Sequence, residues 1–240
     1  MTGPRRQIAL VTLTLLMLAT NLLVGTGSFT EEGADGAVQG VYYLYPTGFT
    51  PAPFTFAIWL PIFLGCTVLA AVQALPRYRA DPALDRFAVP YAGALVANAL
   101  TPFAPIGWGL VVVIALFGSL AWAYRELTRR GSTPWFFRVP VALFAAWASV
   151  ASALNASQVL VSRGIDVDAL AAAALVTAVM AAGAWAVRRT GEIVVFAVMA
   201  WAGLGIAVRQ SDATFLVATV ALTTVASAWV AASSIRARAA

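Results

Sequence analysis

Polar and aromatic side chains inside apolar segments are the residues of this sequence that could do chemistry. Asn98 and Asn155 each lie within a long apolar run, where an amide is costly to bury and therefore faces a partner or a ligand. Two serines precede Asn155 at intervals of three residues, so the three side chains spread over ~120° of a helix. Trp147 and Ala151 continue this face at one-turn spacing. Such a face can bind a ligand by aromatic stacking and a few hydrogen bonds, or it can join neighbouring helices.

The composition excludes several other chemistries. The chain has no His and no Lys, and its 15 basic residues are all Arg. A bis-histidine haem, a three-histidine zinc site, a histidine base and a retinal Schiff base are therefore excluded. The single cysteine, Cys66, is expected to be a small packing residue. Because no acid–base pair is visible, we predict no catalytic residue, no metal site, no required cofactor and no enzymatic activity. Glu126 and Glu192 lie at helix ends, which disfavours ion-coupled transport, since coupling normally needs carboxylates inside the membrane.

Eight apolar stretches approach the ~20 residues that one membrane crossing requires. The sequence therefore predicts an all-α, polytopic membrane helix bundle with about eight transmembrane helices. The predicted spans are 7–25, 53–75, 84–101, 107–127, 136–160, 168–187, 192–208 and 213–234.

The distribution of arginine predicts the orientation. With both termini cytoplasmic, 13 of the 15 arginines fall on the cytoplasmic side, and only Arg163 and Arg209 fall outside. This asymmetry follows the positive-inside rule and explains the net charge of +5 by topology, without nucleic acid as a partner. The Arg5-Arg6 pair before the first span could belong to a cleaved signal, but a retained first helix is favoured because the apolar run is long.

The longest connection, loop 26–52, is predicted on the outer side. Its first half is small and acidic, and its second half is rich in tyrosine and proline. The aromatic residues either form an interfacial belt or belong to a loop folded over the mouth of the bundle. On the inner side, Asp81 followed by Pro82 predicts the start of the third helix.

Three motifs carry a resemblance to a known family. The stretch from Pro46 to Trp59 (PTGFTPAPFTFAIW), the stretch LAWAY around Trp122, and the stretch from Pro140 to Asn155 with Trp147 follow one another on the second, fourth and fifth helices. Their order and spacing resemble the TspO/translocator protein family, also called tryptophan-rich sensory or peripheral benzodiazepine receptor-like proteins. The resemblance covers residues 7–162. It departs from the family where Thr101 replaces a third-helix tryptophan and where the loop has tyrosines instead of a tryptophan.

The resemblance implies a five-helix core at 1–162, which includes loop 26–52. A three-helix extension at 163–240 is similar to that of a longer bacterial branch of the family. It further implies a receptor or sensor in the inner cell membrane. The ligand would be a flat hydrophobic molecule, either a non-covalent porphyrin or haem-pathway intermediate or a sterol-like compound, in a pocket between helices capped by the loop. The implied ligand-binding residues are Tyr43, Phe49, Pro51, Trp59, Asn98, Trp122, Trp147, Ala151 and Asn155.

Two other functions stay open at this stage. One is a transporter of hydrophobic or tetrapyrrole solutes, although ion coupling normally needs carboxylates inside the membrane. The other is a structural accessory subunit, which needs no pocket and which the alanine-rich sixth span would suit. Besides the lipid bilayer and a hydrophobic ligand, the partners left open are a second copy of the chain and a larger membrane complex.

Overall fold

A computed structural model describes residues 2–25, 44–129 and 133–239 of the chain. Eight long α-helices and no strand lie in this part, which confirms the predicted all-α bundle. The helices are α1 Gly3–Gly25, α2 Trp59–Gln73, α3 Pro82–Leu100, α4 Ile106–Thr128, α5 Trp135–Ser162, α6 Ala169–Thr190, α7 Ile193–Arg209 and α8 Thr214–Ala239. Short 3-10 helices at Pro53–Ile58, Pro76–Tyr78 and Thr101–Phe103 join or extend them.

Six helical stretches of the described residues are long and apolar enough to cross a membrane, and one of them is α2 together with the 3-10 helix before it, Pro53–Gln73. The third and seventh predicted spans do not reach that standard. Helix α7 is apolar but has only 17 residues, and α3 carries Asp85 and Arg86 close to its start. The chain is a multi-pass membrane protein whose surroundings are the lipid bilayer.

The orientation of these helices stays a prediction, and two single cysteines would test it. In a Cys66→Ser background, cysteines at Ser28 and Ser234 should react with an impermeant thiol reagent from opposite sides of the membrane, because the loop is predicted outside and the C-terminus inside. Residue 28 lies outside the described residues. Labelling of both cysteines from one side would contradict the eight-span topology.

Local signals set the starts of two helices. The Asp81 carboxylate accepts hydrogen bonds from Ala83 N at 2.8 Å and Leu84 N at 3.4 Å, with Pro82 at the first helical position. This confirms the start of α3 that the sequence predicts. Helix α6 begins in the same way, because the Asp168 carboxylate accepts from Ala171 N at 2.9 Å.

The described chain divides into two compact units. Unit 1 comprises 1–40 and 59–148, and unit 2 comprises 41–58 and 149–240. These bounds differ from the predicted division at residue 162, because unit 2 combines the second part of the first loop with the end of α5 and with α6–α8. The five-plus-three division therefore stays a prediction from the sequence.

In unit 1 a fully buried arginine ties α1 to α3. Arg6 has no exposed surface, and its Nη1 lies 2.6 Å from Asp85 Oδ1 and 3.1 Å from Asp81 O. Its Nη2 donates to Tyr78 O. One residue further on, the side-chain amides of Gln7 and Gln73 each donate to the other residue's main-chain carbonyl, at 2.9 and 3.1 Å. Helix α1 is thus an integrated part of unit 1.

In unit 2 glycines and methionines interlock α6 with α7. A Cβ placed at Gly183 would lie 2.7 Å from Met199 Cγ, and one at Gly203 would lie 2.8 Å from Met180 Cε. Each helix therefore inserts a flexible methionine over a glycine of the other helix. This close approach is how small residues promote helix packing in lipid, and it supports the packing role expected of the small residues in the sixth span.

Candidate functional site

Unit 1 contains an aromatic cluster centred on Trp59, the first residue of α2. Its ring meets Trp147 of α5 edge to face, with centroids 6.4 Å apart and planes at 83°. Phe144 adds a second edge contact at 6.0 Å, and Phe63 stacks at 5.3 Å. Trp147 is 2% exposed, whereas Trp59 is half-buried. The structure thus brings together two of the tryptophans that the motifs single out.

Asn98 of α3 is buried in unit 1 and hydrogen-bonded to α1. Its Oδ1 accepts from Asn21 Nδ2 at 3.0 Å, and only 1% of its surface is exposed. The same Nδ2 also donates to Met17 O at 2.8 Å. This bond joins two helices, as buried amides commonly do in membranes. Sequence reasoning missed Asn21, which also lies within an apolar span and could have been found by the same criterion.

Trp122 of α4 does not share the surroundings of Trp59 and Trp147. Its side chain is 54% exposed, so it faces outward from unit 1. A tryptophan that faces lipid is stable there, because both its ring and acyl chains are apolar. The geometry gives no support to Trp122 as a ligand contact.

Asn155 and Ala151 lie in unit 2 and interact with each other. Asn155 is 9% exposed, and its Nδ2 donates to Ala151 O at 2.8 Å, within α5. Ser157, one turn from Leu154, is fully buried. Its Oγ lies 3.1 Å from Thr47 Oγ1. The end of α5 therefore contributes a polar surface to which the first loop is attached.

Residues 46–58, named the anchored segment below, fold into unit 2. Phe49 is 1% exposed, and Pro51 is buried as well. Phe49 shares the lining of an apolar cavity of about 10 Å³ with residues of three helices, among them Val150, Met180 and Met199. A cavity of this size is near the smallest that holds one water molecule. Phe49 thus fills the space between α5, α6 and α7, and the structure gives it an anchoring position. Tyr43 lies outside the described residues.

Four hydrogen bonds attach the anchored segment to the C-terminal part of unit 2. Gly48 N donates to Val167 O at 3.0 Å, and Ala52 N donates to Gly205 O at 2.9 Å. In the opposite direction, side chains of α7 and of the residue after it donate to the segment. These bonds are Trp201 Nε1 to Thr55 O at 2.8 Å and Gln210 Nε2 to Thr47 O at 3.1 Å.

Sequence reasoning missed Trp201, Gly205 and Gln210. The signal that could have found them is the stretch WAGLG at 201–205, since glycines two residues apart in an apolar helix allow another backbone to come close. A Cβ on Gly205 would overlap the side chain of Thr55. On the other side, a Cβ on Gly48 would lie 2.8 Å from Asp168 O. Both contacts require glycine.

Unit 2 also has an open apolar groove of about 570 Å³ between the first turns of α6 and α8. Its lining includes Leu170, Ala174, Phe215 and Thr219. Leu170 and Phe215 are 67% and 59% exposed, which is what an outer face against lipid acyl chains requires. The groove has few polar groups that could orient a ligand.

The chemistry available to the described residues is limited to a few kinds of side chain. Among the described residues, no group of three or more His, Cys, Asp or Glu side chains could hold a metal ion. Unit 1 contains the half-buried Trp59 with further aromatic rings, and it also contains the buried Asn98, whose partner Asn21 is half-buried. Aromatic rings offer faces on which a planar apolar molecule can stack.

These helices and the aromatic cluster define a polytopic helical membrane protein with a tryptophan-centred candidate site. The chain belongs to the TSPO-like protein family, whose family model matches residues 7–235. This confirms the resemblance seen in the sequence, and the matched range includes α6, α7 and most of α8. Searches of curated proteins and of solved structures gave no significant match.

Proposed function

We propose that this protein is a membrane receptor or sensor that binds a flat hydrophobic molecule, a porphyrin or a sterol-like compound, without covalent attachment. The observation that carries the proposal is the edge-to-face pair of Trp59 and Trp147, with centroids 6.4 Å apart. Trp147 is buried and Trp59 is half-buried. In this proposal Trp147 fixes the ring of Trp59, and a planar ligand stacks on the accessible part of that ring.

Polar contacts of the ligand are expected to be few. Asn98, held by Asn21 in unit 1, is the proposed orienting group, because one or two amides in apolar surroundings are enough to select an orientation. The absence of histidine from the chain means that a porphyrin would bind by stacking and burial. Ligand contacts of Tyr43, Phe49, Pro51, Trp122, Ala151 and Asn155 stay predictions from the sequence. So does a cap formed by loop 26–52. The proposed location is the inner cell membrane.

Replacing either tryptophan of the pair should weaken ligand binding. We expect Trp59→Phe and Trp147→Phe each to reduce the affinity for protoporphyrin by a few-fold to about tenfold, since one aromatic contact is worth roughly 0.5–1.5 kcal/mol beyond the area it buries. The measurement is a titration of the purified protein in lipid nanodiscs, followed by the fluorescence of the porphyrin.

Trp229→Phe is the matched control, because Trp229 of α8 is 70% exposed. The affinity of this variant for protoporphyrin should equal that of the parent protein. Equal losses in all three variants would mean that the porphyrin adsorbs to exposed aromatic residues. Absence of binding to the parent protein at micromolar concentrations, for porphyrins and sterols alike, would contradict the receptor function.

One observation favours a structural accessory subunit as the second candidate. The cavity among α5, α6 and α7 measures only about 10 Å³, so the space among these three helices is filled by side chains, as in a unit that serves packing. A transporter is less well supported. Glu126 is buried at the end of α4, but it is paired with Arg86 at 3.5 Å and with Arg129 at 3.2 Å. A carboxylate neutralised in this way is a structural group.

A further inference from the structure

The three C-terminal helices are the feature that the proposed function leaves unexplained. In unit 2, α6 and α7 contact the anchored segment, and the chain runs from the end of this segment, Ile58, directly into Trp59. The segment is buried to an unusual degree for a loop. Thr50 and Thr55 have no exposed surface, and Phe49 has 1%.

The contacts that hold the segment come from both of its ends. Near the beginning, Gln210 Nε2 donates to Thr47 O at 3.1 Å, and Gly48 N donates to Val167 O at 3.0 Å. At the centre, Ala52 N donates to Gly205 O at 2.9 Å, and nearer the end Thr55 O accepts from Trp201 Nε1 at 2.8 Å. Buried backbone groups of a loop need such partners, because water does not replace them inside a membrane protein.

Trp201 makes the most specific of these contacts. Its indole Nε1 donates to Thr55 O at 2.8 Å, while its ring meets Phe54 edge to face at 5.4 Å. Both Phe54 and Thr55 belong to the 3-10 helix Pro53–Ile58 that immediately precedes Trp59. One side chain of α7 thus fixes both a main-chain carbonyl and an aromatic ring of this short helix.

We propose that Trp201 and Gln210 are positioning residues that hold the anchored segment in place, and that through them the C-terminal helices control ligand binding by this receptor. The second part rests on the proposed function, because the segment leads into the tryptophan on which the ligand is proposed to stack. Neither residue is proposed to touch the ligand. The three C-terminal helices are then a support for the first loop.

The test is a double variant, Trp201→Phe/Gln210→Leu, which removes both side-chain donors and keeps an aromatic ring against Phe54. The reporter is Ala52→Cys in a Cys66→Ser background, since Ala52 is 6% exposed and lies at the centre of the segment. Its reaction rate with a maleimide in lipid nanodiscs measures how often the segment leaves its site. Each net hydrogen bond shifts an equilibrium by about two- to tenfold, so the double variant should react on the order of tenfold faster.

The same samples are titrated with protoporphyrin, and the control is Trp229→Phe, whose indole lies on the exposed face of α8. Faster labelling together with weaker porphyrin binding in the double variant, and neither change in the control, is the expected result. An unchanged labelling rate would overturn the positioning role. Faster labelling with unchanged porphyrin affinity would overturn the proposal that the C-terminal helices control ligand binding.

The two proposals fail in different ways. If the parent protein does not bind protoporphyrin, the proposed receptor function and the control of binding are both wrong, while the labelling rates still decide whether the helices hold the segment. If the cysteine background fails to fold, amide hydrogen exchange of residues 46–58 in the Trp201→Phe variant, with native Ala52 and Cys66, replaces the labelling. Exchange as slow as in the parent protein would then overturn the positioning role.

Discussion

The Arg6→Met variant is expected to lose about 3 kcal/mol of folding stability, since removing one partner of a buried ion pair leaves the other without compensation. Arg6 is fully buried and lies 2.6 Å from Asp85 Oδ1. It also donates to the carbonyl groups of Asp81 and Tyr78, and methionine cannot donate to either. The expected loss of stability is at the lower end of the range usual for a broken buried ion pair, because 23% of the Asp85 side chain remains exposed. Thermal unfolding in detergent, followed by tryptophan fluorescence, would measure the loss.

Arg5→Met is the control for that experiment. Arg5 is exposed, so its replacement removes the same charge from the same turn and should change the stability by no more than about 0.5 kcal/mol. The double variant Arg6→Met/Asp85→Leu should recover part of the loss, because it removes the unpaired carboxylate as well. Equal losses for Arg5→Met and Arg6→Met would attribute the effect to net charge near the terminus and refute the role of the buried pair.

Gly205→Ala should destabilise the protein by about 1–3 kcal/mol, the usual cost of an added carbon in a filled interior. A Cβ at this position would overlap the side chain of Thr55, and the Cβ of Thr55 would lie 2.9 Å away. The backbones cannot separate freely, because Gly205 O accepts the 2.9 Å hydrogen bond from Ala52 N. Thermal unfolding in detergent is again the measurement.

Gly118→Ala is the matched control, because the same substitution at this position is expected to raise the stability. Gly118 lies inside α4, and a Cβ there would have no atom within 4 Å. Alanine should therefore stabilise the helix by up to about 1 kcal/mol.

Adding Thr55→Ala to Gly205→Ala should relieve part of the strain. A Gly205→Ala protein as stable as the Gly118→Ala protein would show that the anchored segment does not press on α7.

The helices could be predicted closely from the sequence because lipid leaves few alternatives. A backbone in the bilayer must satisfy its own hydrogen bonds, so an apolar run of sufficient length becomes a helix. The run predicted at 107–127 is the helix Ile106–Thr128, and that at 168–187 is Ala169–Thr190. The grouping of helices into units could not be predicted in this way, since it depends on contacts between distant parts of the chain.

The candidate site could be predicted only in part. The motifs single out Trp59 and Trp147, whose ring centroids lie 6.4 Å apart, and also Trp122, which is 54% exposed. Helix periodicity shows which residues share a face, and it does not show which face a neighbouring helix covers. In lipid an outward tryptophan is as stable as an inward one, so the residue type does not indicate whether the side chain faces lipid or another helix.

Residues that hold the structure together from a distance were the least predictable. Arg6 follows the positive-inside rule as well as any exposed arginine near a helix end, and nothing local reveals its partner 79 residues away. Gln210 follows the last turn of an apolar helix, where a polar residue is ordinary. Its acceptor lies 163 residues earlier in the chain.

This long separation has a consequence for how the protein is made. Thr47 leaves the ribosome 163 residues before Gln210, and a ribosome adds roughly 5–20 residues per second. Residues 46–58 therefore wait roughly 8–30 s for Gln210, and during that time Thr47 O lacks the donor that it has in the complete protein. A chain that stops before α7 would therefore lack the donors Trp201 and Gln210, which hold this segment in the complete protein.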